Sequence, residues 1–155
     1  MSQRQNPYIA VVGGYECSGS DYALAESVGE LLARAGAVVV TGGRHGITEA
    51  ACKGAKKAGG TTIGILPGAD YEEGNDFVDH AICTDAGSSR NNMIIMTADG
   101  VVAMPGRYGT LSEIAFALLY HKPIVSLGSW GVSDRIIEAA SPQEAVQRIL
   151  QEVRS

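Results

Sequence analysis

At 155 residues, the chain is long enough for one domain with a substantial hydrophobic core. Apolar residues make up 45% and charged residues 19%, which is typical of a globular protein and excludes a disordered one. The net charge of −5 argues against a nucleic-acid-binding surface, because such a surface needs a basic face.

Two further features bear on location and chemistry. No apolar stretch approaches the roughly 20 residues that a membrane-spanning helix needs, and the N-terminal MSQRQNPY lacks a signal-peptide core. The cysteines Cys17, Cys52 and Cys83 are widely spaced without a C-x-x-C pair, and the three histidines are scattered. The sequence therefore predicts a cytoplasmic protein with reduced thiols, no metal site and no membrane partner.

Five short apolar runs along the chain are predicted to be strands. They are continuous and rich in Val and Ile rather than alternating, as expected for strands that are covered on both faces. They span residues 8–12, 37–41, 61–66, 100–104 and 123–127.

Helical patterns separate these strands and follow the last one. They span residues 20–35, 46–58, 89–98 and 110–121, and a final helix begins at the Ser141 cap with Pro142 in its first position. Gly36 and Gly59 follow two of these helices, where C-terminal glycines are common. The alternation predicts a single α/β domain, residues 1–155, with a doubly wound, mostly parallel sheet and helices on both faces. Such sheets bind ligands at the carboxyl ends of their strands.

Two segments fit this pattern less simply. Residues 68–80 are acidic and without periodicity, which predicts an exposed excursion. Helix 110–121 is apolar nearly all round, so one sheet face is too little to cover it. Either a second layer or a dimer interface would cover it, and the dimer is favoured. We expect a homodimer or a dimer of dimers through this helix.

Two loops share one pattern: a strand, then Gly-Arg-aromatic-Gly, then a helix with an acid near its start. They are TGGRHGITEA at 41–50 and MPGRYGTLSEI at 104–114. Glycines at a helix start let backbone N–H groups approach an anion, and the helix dipole favours negative charge there. The residues predicted to bind a phosphate-bearing ligand are Gly42, Gly43, Arg44, Gly46, Pro105, Gly106, Arg107, Tyr108, Gly109 and Thr110.

Glu113 in the second loop has two interpretations. In a capping box, it would accept a hydrogen bond from the Thr110 backbone N–H while Thr110 caps the helix. In a ligand site, its carboxylate would face the bound molecule. Glu49, the corresponding acid of the first loop, is more simply a solvated or capping residue.

Arg90 is a third candidate, in the segment GSSRNNMIIM at 87–96. With Ser88 or Ser89 as the cap, Arg90 lies in the first helical turn, where a cation is disfavoured by ~0.3–1 kcal/mol. It either pairs with an acid such as Asp85 or turns into the strand-end crevice, near Glu113 or a ligand phosphate. The interior face of this helix is predicted to comprise Met93, Ile94 and either Met96 or Ile95.

Two common nucleotide-binding signatures are absent from the sequence. There is no G-x-x-x-x-G-K-[ST], which excludes a P-loop NTPase. The first strand is followed by GGYECSGS rather than G-x-G-x-x-G, and the second ends in Thr41-Gly42 without an acid for a ribose. Ordinary NAD binding is therefore disfavoured.

Together the loops resemble the LOG superfamily of Rossmann-like proteins, which often carry the label "possible lysine decarboxylase". Its hallmark P-G-G-x-G-T-x-x-E is matched by PGRYGTLSE, with Arg107 in place of the second glycine. The wider run TGGRHGITEAACKGAKKAGGTTIGILPG, followed by GSSRNNMI, more closely resembles the shorter branch that contains the molybdenum cofactor carrier proteins. The resemblance covers roughly residues 8–128.

The resemblance implies two different activities. Phosphoribohydrolase members cleave nucleoside 5′-monophosphates with an arginine and a glutamate, which Arg90 and Glu113 match, but Asn91 replaces the family's lysine. The carrier branch holds a phosphate-bearing pterin without chemistry. Arg107 adds a guanidinium beside the anion site, and a positive φ there would be strained. Nothing in the sequence indicates a pyridoxal phosphate pocket for decarboxylation.

These observations favour a binding or carrier protein for a phosphorylated heterocycle. Its ligand would be the molybdenum cofactor or a nucleoside monophosphate, with no required cofactor. The alternative is a nucleoside 5′-monophosphate phosphoribohydrolase that uses Arg90 and Glu113 as catalytic residues.

Overall fold

The computed structural model describes residues 4–155, which form one sheet of seven parallel strands. The spatial order is β4-β3-β2-β1-β5-β6-β7. The strands are β1 (Tyr8–Val12), β2 (Val38–Thr41), β3 (Thr62–Leu66), β4 (His80–Cys83), β5 (Gly100–Ala103), β6 (Ile124–Ser126) and β7 (Ile137–Glu138).

Helices cover both faces of this sheet. They are α1 (Gly19–Arg34), α2 (Ile47–Lys57), α3 (Arg90–Thr97), α4 (Tyr108–Leu119) and α5 (Pro142–Arg154), with short 3-10 helices at Tyr71–Glu73 and Gly87–Ser89. Alternate residues of each central strand face opposite layers. In β1, Ile9 and Val11 pack with α1, α2 and α5, whereas Ala10 and Val12 pack with α3 and α4. The predicted doubly wound, Rossmann-like fold is confirmed.

All five predicted strands and all five predicted helices are present, with ends that differ by at most two residues. Ser141 caps α5 through a 3.1 Å hydrogen bond from the Glu144 N–H. Gly36 and Gly59 follow α1 and α2 with φ values of 84° and 74°, in the left-handed region that favours glycine.

Two local expectations are wrong, and a third holds with one exception. The segment 68–80 is exposed or half-buried as expected except at Asn75, which is buried and donates from Nδ2 to the Arg44 carbonyl at 2.6 Å. Helix α3 buries Ile94 and Ile95 together with Asn91, whereas Met93 and Met96 are exposed. Helix α4 begins at Tyr108, two residues earlier than predicted, so Thr110 is not its cap.

The order of the strands determines where a crevice forms at the edge of the sheet. The chain builds β2, β3 and β4 on one side of β1 and then returns to place β5 on the other side. The loops that follow β1 and β5 therefore meet at the carboxyl edge, where the Gly14 N–H donates to the Pro105 carbonyl at 2.8 Å. This reversal of strand order is the usual place for a ligand in such sheets.

The outer side of α4 is partly apolar and exposed. Ile114 and Ala117 are buried against the sheet, while Leu119 is 65% exposed. Met96 of the neighbouring helix α3 is 61% exposed. No helix within residues 4–155 is both long enough and apolar enough to cross a bilayer.

Candidate functional site

A cavity of about 410 Å³ lies at the carboxyl edge of the sheet, where the strand order reverses. Its walls come from the loops after β1 and β2 and from the first turns of α2, α3 and α4. Seven of the residues singled out from the sequence line it: Gly42, Arg44, Arg90, Arg107, Gly109, Thr110 and Glu113. The two similar loops therefore contribute to one cavity rather than to two separate ones.

Five other predicted ligand-binding residues do not line the cavity, and two of them lie in the first loop. The Gly43 N–H donates to Thr41 Oγ1 at 3.0 Å, so this amide is already used within the chain. Gly46 has a φ of 67°, and a Cβ there would lie 2.3 Å from the Gly14 and Tyr15 carbonyl oxygens. These two glycines allow neighbouring chain segments to approach one another behind the cavity wall, without lining the cavity themselves.

The other three residues belong to the second loop. The Pro105 carbonyl accepts the hydrogen bond from Gly14, and Gly106 packs closely against Thr110. Tyr108 is 79% exposed and stacks on Trp130 at a centroid distance of 6.2 Å. The predicted contact of these three residues with a ligand stays a prediction.

Arg90 turns into the crevice, and Gly42 makes room for it. A Cβ at residue 42 would lie 2.2 Å from Nη1 of Arg90. The ion pairs within residues 4–155 do not include one between Arg90 and Asp85. Burial lowers the pKa of the Arg90 guanidinium; the nearby Glu113 opposes this shift and Arg44 adds to it. Arg90 is thus placed at the cavity by close packing against a glycine.

Glu113 is a buried acid on the inner side of α4, with only 7% of its surface exposed. Burial raises its pKa to about 8, although Arg90 acts in the opposite direction. The expected capping box is wrong, because α4 begins with Arg107 as its cap residue and Glu113 lies three residues beyond the capping-box position. At neutral pH this side chain is mainly the uncharged acid.

The start of α4 has no side-chain cap. Its cap residue, Arg107, makes no side-chain hydrogen bond to the first turn, so the first amides of the helix are left for another partner. The φ of Arg107 is −101°, so the strain that a positive φ would have caused is absent. Gly109 and Thr110, in this first turn, line the cavity. The arrangement suits an anion at the helix N-terminus.

The charges around the cavity also favour an anion. Arg44, Arg90 and Arg107 all line it, against the acids Glu16 and the mainly neutral Glu113. Within the described part of the chain, the Nε atoms of Arg44 and Arg90 are buried without a hydrogen-bond partner. Buried donors of this kind are normally satisfied, so a ligand that supplies acceptors would complete the site.

Sequence reasoning did not assign several lining residues to the site: Gly13, Gly14, Tyr15, Glu16, His45, Thr48 and Asn91. The signal for the first four is their position directly after β1, beside the strand reversal. Asn91 stands where the family's lysine is expected. It is buried, and its Nδ2 lies 3.2 Å from the Oγ of Ser112. This contact ties α3 to α4 and leaves the position uncharged.

Comparison with known structures identifies relatives of similar size. The structure is similar to that of the molybdenum cofactor binding protein from the phototrophic bacterium Rippkaea orientalis, with a TM-score of 0.91 and 38% identity, covering 96% of this chain and 98% of that one. It is also similar to the molybdenum cofactor carrier protein MCP from Chlamydomonas reinhardtii, with a TM-score of 0.87 and 33% identity, covering 97% and 100% of the two chains.

Sequence comparison points in a second direction. A cytokinin riboside 5′-monophosphate phosphoribohydrolase of Mycobacterium tuberculosis is 32% identical over 120 residues, which is 72% of this chain but 64% of that protein. The chain therefore spans less than two thirds of this enzyme. The profile of the SLOG cluster4 family matches residues 6–154, which is nearly the whole chain.

Proposed function

Because the chain belongs to the SLOG cluster4 family, we propose that it binds a phosphorylated heterocycle, a molybdenum cofactor or a nucleotide, and acts as a carrier for it. One observation carries the proposal. Three arginines and the uncapped start of α4 converge on one cavity, and two of these arginines hold buried Nε donors without a partner in residues 4–155.

The residues present fit a phosphate group. The backbone N–H groups of Gly109 and Thr110 at the start of α4 would donate hydrogen bonds to the phosphate oxygens, with Arg107 beside them. Arg44 and Arg90 would supply further donors from the opposite wall. The heterocycle would lie along the loop after β1, where Tyr15 offers an aromatic surface.

Three features favour holding over turnover. Arg107 replaces a glycine of the hydrolase motif, and Asn91 replaces its lysine. Glu113 is mainly protonated at neutral pH, whereas stabilising a positive charge on a ribose needs an ionised carboxylate. The molybdenum cofactor carrier proteins, which match this chain over nearly its whole length, support the same choice.

The second candidate is a nucleoside 5′-monophosphate phosphoribohydrolase. Arg90 and Glu113 line the same cavity, and the charge of Arg90 favours the ionised form of Glu113. In this reaction, water replaces the base at the ribose carbon, giving the free base and ribose 5-phosphate. Ionised Glu113 would stabilise the cationic ribose and orient the water. The curated phosphoribohydrolase relative supports this alternative.

A direct experiment separates the two functions. The protein is titrated with AMP, GMP and freshly released molybdenum cofactor, and each nucleotide sample is assayed for free base. Binding without release supports the carrier, whereas release that disappears in Glu113→Gln supports the hydrolase. If none of these ligands binds and no base is released, the proposed anion site is wrong.

Two further features belong to this proposal. A homodimer or dimer of dimers through helix 110–121 would cover Leu119, and it would also cover Met96 on the neighbouring α3. A cytoplasmic location is supported by three cysteines that are all free in the structure. The acidic net charge continues to favour a small-molecule ligand over a nucleic acid.

A further inference from the structure

A second group of titratable side chains lies at the edge of the cavity, around the first turn of α2. His45 lines the cavity, and its Nδ1 lies 3.3 Å from Oε2 of Glu49. The other oxygen of Glu49 accepts a 2.9 Å hydrogen bond from the Tyr22 hydroxyl of α1. His45 and Glu49 belong to the first loop, but the proposed anion binding by its glycines and Arg44 does not use this chain of contacts.

Two contacts orient the imidazole ring of His45, which is exposed at the edge of the cavity. The ring of Tyr15 meets it edge to face, with centroids 5.2 Å apart and an interplanar angle of 89°. Glu49 is itself held by Tyr22, so its carboxylate is a fixed acceptor for Nδ1. Because Nδ1 faces Glu49, Nε2 is the ring nitrogen that remains for a ligand.

We propose that His45 is a further ligand-contacting residue, which donates from Nε2 to the ligand phosphate when the ring is protonated, and that Glu49 and Tyr22 are its positioning residues. This inference rests on the proposed function, because it assumes a phosphate-bearing ligand in the cavity. It adds a residue that makes the affinity depend on pH.

The direction of the dependence follows from the proton on the ring. The Glu49 carboxylate can accept a hydrogen bond only from a protonated Nδ1, and in that tautomer neutral His45 has its lone pair on Nε2. A phosphate oxygen is repelled by that lone pair. Protonated His45 instead presents an N–H and a positive charge. The affinity for an anion should therefore fall when a rise in pH removes the proton from the ring.

Two other ionisable groups near His45 have shifted pKa values. Burial raises the pKa of Glu113 to about 8, so the loss of its proton adds a negative charge that weakens anion binding at alkaline pH. Burial and the bond to Glu49 raise the pKa of Tyr22 to about 12, so it stays neutral. The charged and titratable groups that surround His45 and the cavity are Tyr15, Glu16, Tyr22, Arg44, Glu49, Arg90, Arg107 and Glu113.

The test measures the dissociation constants of AMP and of sulfate from pH 5.5 to 8.5. Sulfate keeps its charge over this range, so any change in its binding comes from the protein. Wild type should bind sulfate roughly tenfold more tightly at pH 5.5 than at pH 7.5. His45→Gln should lose this difference, while Glu113→Gln should keep it and lose only the change near pH 8.

Glu49→Gln tests the positioning role. Without the carboxylate, Nδ1 loses the acceptor that orients the ring, so the difference in sulfate affinity between pH 5.5 and pH 7.5 should shrink rather than disappear. His80→Gln is the matched control, because His80 lies on the exposed edge strand β4, outside the cavity. It should reproduce the wild-type profile.

The outcomes separate this inference from the proposed function. If wild type binds AMP and sulfate but His45→Gln keeps the same pH dependence, the role of His45 is wrong and the proposed function stands. If Glu49→Gln leaves the profile unmoved, the positioning role is wrong. If wild type binds neither probe at any pH, both the proposed function and this inference are overturned. Circular dichroism melts show that each variant is folded.

Discussion

Replacing Gly42 by alanine tests the contact between the cavity wall and Arg90. A Cβ at residue 42 would lie 2.2 Å from Nη1 of Arg90 and 2.9 Å from its Cζ, so the guanidinium has to move. The φ of Gly42 is not positive, so alanine adds no left-handed backbone strain. Because the displaced group is the end of a flexible side chain, the free energy of unfolding should change by about 1 kcal/mol or less.

Ligand affinity should respond more strongly than stability. In the proposed complex, Arg90 donates charge-assisted hydrogen bonds to the phosphate, each worth about 1.5–3 kcal/mol. Displacing the guanidinium should therefore raise the Kd for AMP roughly 10- to 100-fold. Isothermal titration calorimetry measures the Kd, and thermal unfolding followed by circular dichroism measures the stability.

Gly19→Ala is the matched control for this substitution. A Cβ at residue 19 meets no atom within 4 Å, so this variant should bind AMP as wild type does. If Gly42→Ala keeps the wild-type Kd, Arg90 does not contact the phosphate and the assignment is refuted. A large loss of stability in Gly42→Ala would contradict the view that only a flexible side chain moves.

Three other substitutions test neighbouring parts of the site and the surface. The unfolded chain releases the Glu113 proton near pH 4.5 and the folded chain near pH 8, so stability falls as pH rises between these values. At pH 8, the free energy of unfolding of Glu113→Gln should therefore exceed that of wild type by on the order of a few kcal/mol, and its Tm should be higher, but not at pH 4.5; the same difference in Tm at both pH values would contradict the raised pKa. Arg107→Gly removes an exposed, unstrained arginine, so it should weaken AMP binding about tenfold with little change in Tm; unchanged binding would mean that Arg107 points to solvent. In the proposed dimer through α4, Leu119→Glu puts a charge into the interface, so the molar mass measured by light scattering should fall to that of a monomer; an unchanged oligomer, or a wild type that is already a monomer, would exclude this side of α4 as the interface.

The parts of the fold that were predictable are those with a strong burial pattern. Strands β1, β2, β5 and β6 are covered on both faces, so burial required continuous apolar runs that stand out in the sequence. Strand β4 lies at the exposed edge of the sheet, and all four of its residues are exposed. Strand β7 has only two residues. Neither strand requires a continuous apolar run, so neither produces a burial pattern that can be recognised in the sequence.

The glycines of the two loops show a limit of a different kind. Gly42 and Gly46 both lack a side chain because another group comes close, but the group is Arg90 in one case and the loop after β1 in the other. A sequence records only that a Cβ is not tolerated. It does not distinguish the approach of a ligand from the approach of the chain itself, and this is why both were predicted to bind the ligand.

The capping box at Glu113 failed for a related reason. Thr110-x-x-Glu113 fits the motif, but Thr110 is buried and packs against Gly106, so the helix starts before it. This start places Glu113 one turn deeper, on the inner side of α4, where burial rather than a backbone bond determines its chemistry. The sequence indicated that Glu113 lies near the start of this helix, but it did not indicate the protonation state of its side chain.

The protonation state of Glu113 is linked to one of the two departures from the hydrolase motif, the asparagine at residue 91. A buried carboxyl group ionises at neutral pH only if nearby positive charge compensates for its burial. The family's lysine would be a second cation beside Arg90, but Asn91 is neutral there and lies within hydrogen-bonding distance of Ser112 instead. Arg90 alone leaves the pKa of Glu113 at about 8. An uncharged acid can donate a hydrogen bond to a bound ligand, but it offers little to a cationic ribose. Asn91 thus supports the proposed carrier function through its effect on Glu113, separately from the guanidinium that Arg107 adds.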